Sequence, residues 1–80
     1  MEQLVSQIAD LRKKIETLEV KTAQELEQYR IEYLGTKGLV KSLMAEMKQV
    51  PNEQKRAFGQ LLNDFKQYAE ARYEEWKLQL

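Results

Sequence analysis

The sequence predicts an all-α fold: an antiparallel helical hairpin, or coiled-coil arm, with a shorter N-terminal helix packed at its base in a three-helix arrangement. Three observations predict it. Apolar residues recur at spacings of three, four and seven along three segments, and no segment alternates every second residue as a half-buried strand does. A capping-box pattern at Thr22 and the single proline, Pro51, separate those segments. The last two segments are nearly equal in length, so a short link lets their apolar seams face each other.

In the first segment, Leu4, Ile8, Leu11, Ile15 and Leu18 put one apolar stripe on a helix over residues 2 to about 20. Thr22, followed three residues later by Glu25, then satisfies the free N–H groups of a new helix start, giving a second helix over about 22–48. Its seam is Leu26, Tyr33, Val40 and Met47, with Tyr29 and Leu43 or Met44 widening it. Val50-Pro51-Asn52 ends that pattern, because proline fits the first turn of a helix but not its interior. Phe58, Leu62, Phe65, Ala69, Trp76 and Leu80 carry a third helix over about 51–80. With the turn at Val50, Tyr33 falls near Phe65 and Val40 near Gly59, where a glycine would let the backbones approach closely.

Gly35 and Gly38 interrupt the second segment. Glycine costs roughly 0.5–1 kcal/mol relative to alanine in a helix interior, so a pair beside Lys37 signals close contact with something. Two readings compete. Glycine after Leu34 suits a helix C-cap and would give four helices. The unbroken seven-residue spacing from Leu26 to Met47 instead favours one continuous helix, with or without a kink, and that is the expectation carried forward.

Composition excludes several functions. No cysteine or histidine is present, which removes thiolate metal sites, the commonest general base and the Ser-His-Asp or Cys-His arrangements. No catalytic, cofactor-binding or metal-ligating residue is assigned. The pairs Glu25/Glu27 and Glu74/Glu75 read as solvated helix faces, since neighbouring helical positions point in different directions. Tyr29, Tyr33 and Trp76 read as core, and Asn63 as a surface or seam-edge amide with a register-setting hydrogen bond as the sharper alternative. No apolar run of membrane-spanning length or signal-peptide type occurs, so a soluble, cytoplasmic protein is expected, with no membrane partner. The uncapped end at Trp76-Lys77-Leu78-Gln79-Leu80 predicts that residues 1–80 form a single N-terminal domain of a longer chain.

Net charge is zero, but its distribution is uneven. Residues 29–56 hold six basic and three acidic side chains, whereas the segments on either side are net negative. On a continuous helix, Arg30, Lys37, Lys41 and Lys48 would fall within about 20° of one line at about 100° per residue. Lys55 and Arg56 add charge from the third helix near the tip. Such a stripe suits a phosphate backbone, although basic residues also flank coiled-coil seams merely as solubilising groups.

Arg30-x-x-Tyr33-Leu34-Gly35-x-Lys37-Gly38-Leu39, then Pro51-x-Glu53 and Phe58-Gly59-x-x-x-Asn63-x-x-Lys66, together resemble the N-terminal domain of bacterial phenylalanine–tRNA ligase (phenylalanyl-tRNA synthetase) alpha subunits. Thr36 stands where that family commonly has a second consecutive lysine. The resemblance runs from about residue 22 to residue 70. It implies a class II aminoacyl-tRNA synthetase that joins phenylalanine to its tRNA with ATP and Mg2+, in a heterotetramer with a beta subunit and a second alpha subunit. It further implies that this segment is a tRNA-binding arm, with the catalytic core further along the chain; the charge pattern, Arg30, Lys37, Lys41 and Lys48 with Lys55 and Arg56, supplies the expected contacts of that arm. The competing expectation is a protein–protein module that buries Leu4, Ile8, Leu11 and Ile15 against a partner helix.

Overall fold

The computed structural model describes residues 2–80, and among them it contains helices and turns but no strand. Helix α1 spans Glu2–Thr17, α2 Ala23–Tyr29, α3 Leu39–Glu46 and α4 Asn52–Gln79. A π turn, Arg30–Leu34, extends α2, and a 3₁₀ turn, Met47–Gln49, extends α3. The returning segment α2–π turn–α3–3₁₀ turn lies along α4 as the predicted hairpin, and α1 packs on α4 as the third helix. The molecule measures 43 × 22 × 17 Å. Its long dimension matches α4, whose 28 residues span about 42 Å at about 1.5 Å each.

Helix α1 ends three residues before the predicted boundary, and the next helix start explains why. The Glu25 carboxylate accepts from the backbone N–H groups of Lys21 and Thr22, while Thr22 Oγ1 accepts from Glu25 N at 3.1 Å. This capping box holds Thr22 extended at φ −130° and leaves residues 18–21 as linker. The apolar side of α1 faces inward: Ile8 and Ile15 are buried, with Leu4, Leu11 and Leu18 packed beside them. Contacts of α1 run from Leu4, in a cleft with Val50 and Pro51 at the tip, to the linker residues Leu18 and Val20 beside Arg72 and Trp76 at the base. The seam expected to await a partner helix is thus used within the chain.

The second helix is not continuous. Gly35 and Gly38 are both extended, with ψ of 171° and 176°, and Gly38 N donates to Gly35 O at 2.9 Å to close a tight turn. Neither glycine has positive φ. Their need is for space: a Cβ on Gly35 would lie 2.9 Å from Ile31 O, and one on Gly38 2.9 Å from Tyr33 C and 3.0 Å from Glu32 O. The close contact signalled by the glycine pair is with the chain's own π turn. Heptad spacing misleads here because the four-residue turn returns Val40 to the face that Tyr33 occupies, and both remain buried.

The break also changes the register. Tyr29 bonds to Ala69, as the turn at Val50 requires, and a continuous helix in that register would carry Met47 to the level of Pro51. Instead the Met47 methyl lies 3.3 Å from where a Gly59 Cβ would be. Gly59 therefore makes room for a side chain rather than for the opposite backbone. Leu80, expected in the seam, is 54% exposed.

Candidate nucleic-acid interface

The structure distributes the six predicted basic residues over different elements. Arg30 opens the π turn, Lys37 lies in the Gly35–Gly38 turn, Lys41 sits on α3, Lys48 on the 3₁₀ turn, and Lys55 and Arg56 on the first turns of α4. The single straight stripe is corrected accordingly, since it required one unbroken helix from Arg30 to Lys48.

Arg30 differs from the rest. Its Nε donates to Glu27 Oε1 at 2.6 Å and its Nη2 to Glu27 Oε2 at 3.1 Å, a two-point pairing one helical turn apart. The same hydrogen bonds hold the Glu27 carboxyl below the usual carboxylate range and raise the guanidinium further. Glu70 and Glu74 of α4 line the same groove as Arg30, together with Leu34 and Tyr73. The base of the hairpin is thus locally acidic around one satisfied arginine. By contrast, among the described residues no carboxylate lies within 4.0 Å of Lys37, Lys41, Lys48, Lys55 or Arg56.

Packing against α4 decides which way these cations face. One flank of α4 meets α1: Gln54 borders Val5 and Ala9, Tyr68 lies 4.2 Å under the Arg12 guanidinium, and Arg72 lies beside Leu18 and Val20. The opposite flank meets the returning segment, with Gly59 under Met47 and Tyr73 beside Leu34. At about 100° per residue, Lys55 shares the flank of Gly59 and Tyr73. On the other wall, Glu46 turns toward α1 in the cleft with Leu4, while Met47 turns toward Gly59. Lys41, Met44 and Lys48, all exposed, therefore lie beyond Met47 on the side away from α1. Arg56 is exposed a further 100° or so round α4, at the margin of that face. Lys66 was not singled out for binding by the sequence, yet it shares the line of Lys55 and is only half-exposed. Its signal was the eleven-residue spacing, about three helical turns.

The aromatic residues serve as core, as predicted. Tyr29, Tyr33 and Trp76 are buried, and the Tyr29 ring meets Tyr33 at 4.9 Å and Trp76 edge-on at 4.8 Å. Burial pushes both tyrosine hydroxyls above their ordinary range, more strongly at Tyr29. Asn63 is exposed on α4. Among the described residues, no cluster of three or more His, Cys, Asp or Glu is placed to hold a metal ion. No described helix is long and apolar enough to cross a membrane.

The chain is 47% identical over 58 residues to the phenylalanine–tRNA ligase alpha subunit of Christiangramia forsetii, covering 72% of this chain and 17% of that protein. It is 49% identical over 55 residues to the alpha subunit from Flavobacterium johnsoniae, covering 69% and 16%. With the alpha subunit from Thermotoga neapolitana it shares 45% identity over 67 residues, covering 82% and 21%. The chain thus spans about a fifth of the length of these curated relatives. No solved structure matches it. Residues 21–80, the capping box and the whole hairpin, match the family described as the N-terminal domain of class II aminoacyl tRNA synthetases, and the chain belongs to that family.

Proposed function

We propose that this chain is the tRNA-binding arm of a cytoplasmic phenylalanine–tRNA ligase alpha subunit, holding tRNA in position while the enzyme charges it with phenylalanine. The observation that carries this reading is the set of unpaired cations Lys37, Lys41, Lys48, Lys55 and Arg56 on the tip half of the hairpin. Charges without carboxylate partners are free to neutralise phosphates and release counterions. A stiff hairpin built on the 28-residue α4 holds them in place without reading bases. ATP and Mg2+ belong to the catalytic part of such an enzyme, and the beta subunit and second alpha subunit would complete the heterotetramer. The protein–protein reading loses its main support, because Ile8 and Ile15 are already buried within the chain.

Charge reversal of Lys41 and Lys48 together in the assembled enzyme tests the reading. It should weaken tRNA binding and flatten its salt dependence while leaving amino-acid activation unchanged. Unaltered tRNA affinity would refute the proposal.

A further inference from the structure

We propose that Lys66 of α4 completes a phosphate-binding track that runs between α3 and α4 on the face opposite α1 and stops at Glu70. The inference rests on the tRNA-arm reading and assigns that site its sidedness, its second wall and its end.

Lys66 and Lys55 stand eleven residues apart on one uninterrupted helix, so they share a line within about 20° and lie about 16 Å apart along it. Gly59 lies between them and has no side chain, and the Met47 methyl sits 3.3 Å from where its Cβ would be. By helical periodicity Lys41 and Lys48 of the returning segment fall on the side of Met47 away from Glu46, toward this line of α4. The acidic residues of this half point elsewhere. Glu46 faces α1, while Glu53 and Asp64 lie roughly 160–180° round α4 from Lys55. Among the described residues, the flank of α4 that carries Lys55 and Lys66 therefore bears no carboxylate between Asn52 and Lys66.

Charge changes sign one turn beyond Lys66. Glu70 and Glu74 line the next groove, and Arg30 there is already bonded to Glu27. A polyanion following the lysines would meet repulsion at that point, which fixes how far along the arm it can lie. The basic residues of α1, Arg12, Lys13 and Lys14, belong to the opposite side, where Arg12 caps Tyr68 and pairs with Glu16.

The test measures binding of deacylated tRNA by the assembled enzyme across a salt series. Three variants are compared: Lys66→Gln, the pair Lys48→Gln and Lys55→Gln, and the pair Lys13→Glu and Lys14→Glu. Circular dichroism and amino-acid activation report folding and an intact catalytic core. Lys66→Gln should weaken binding by a factor on the order of 5 at low salt and lower the slope of log affinity against log salt by about 0.7–0.9. The α1 pair should leave both unchanged. Loss of affinity in the Lys48/Lys55 pair with none in Lys66→Gln would overturn the assignment of Lys66 and leave the arm reading intact. Equal loss from the α1 pair would overturn the sidedness. Unchanged affinity in all three would overturn the arm reading itself.

Discussion

The Tyr29 hydroxyl donates a 2.7 Å hydrogen bond to the carbonyl oxygen of Ala69, forty residues along the chain. This contact ties the start of the returning segment to the far half of α4 and sets the hairpin register. Tyr29→Phe keeps the ring packing on Tyr33 and Trp76 but removes the bond, so it should cost roughly 0.5–1.5 kcal/mol in urea unfolding near neutral pH.

The same hydroxyl gives the fold an alkaline limit. Burial, and then the neighbouring Tyr33, raise the Tyr29 pKa above its ordinary value of 10.0. Between the unfolded and folded values the unfolded state has lost a proton that the folded state keeps. Stability is therefore fully present below the unfolded value and falls as pH rises above it. Urea titrations at about pH 8 and about pH 10.5, on either side of the ordinary tyrosine range, should show a decline in the native chain that is smaller in Tyr29→Phe. Part of the decline should persist, because burial raises Tyr33 as well.

Glycines at three positions should respond to alanine in two opposite ways. Gly38→Ala places a methyl 2.9 Å from Tyr33 C, and backbone cannot yield as a side chain can, so the change should destabilise by about 1–3 kcal/mol. Gly35→Ala, 2.9 Å from Ile31 O, should behave alike. Gly59→Ala meets only the movable end of Met47 at 3.3 Å and lies inside α4. There the gain in helix propensity, roughly 0.5–1 kcal/mol, should make it neutral or stabilising. Thermal melts of the three variants decide this, and a stabilising Gly38→Ala would contradict the tight turn.

Helix α1 should prove integral to the bundle. Ile15 is fully buried between α1 and the hairpin, so Ile15→Ala should cost about 2–5 kcal/mol. Ile31, 56% exposed on the π turn, serves as the matched control and should change stability by no more than about 0.5 kcal/mol. Equal effects in chemical denaturation would mean that α1 does not bury its seam on α4.

Much of this architecture is legible in the residues because local and long-range signals agree. Thr22 and Glu25 form the capping box they spell, Pro51 directly precedes α4, and Ile8, Ile15, Phe58, Leu62, Phe65 and Ala69 are core. The seven-residue spacing hides the break at Gly35–Gly38, which only the glycine C-cap signal marks, because periodicity reports which face a residue occupies, not the path the backbone takes between faces. Tyr33 and Val40 share a face either way. The hidden break carries into the candidate site, where alignment of Arg30 with Lys48 presumes a continuous path. What spacing could not reveal was the partner of each charge: Arg30 and Lys48 look alike in sequence, and only packing shows that Glu27 holds one of them.

That difference yields a last prediction. Arg30→Gln removes a guanidinium whose two hydrogen bonds go to Glu27, so little positive field is lost to the surroundings. It also frees the Glu27 carboxylate beside a groove already lined by Glu70 and Glu74. Lys48→Gln removes an exposed charge with no carboxylate within 4.0 Å. On the proposed arm function, the salt slope of tRNA binding by the assembled enzyme should fall by about 0.7–0.9 for Lys48→Gln and hardly change for Arg30→Gln. An equal fall for both would mean that the Glu27 pairing opens on binding and that the polyanion reaches past Glu70 to the base of the arm.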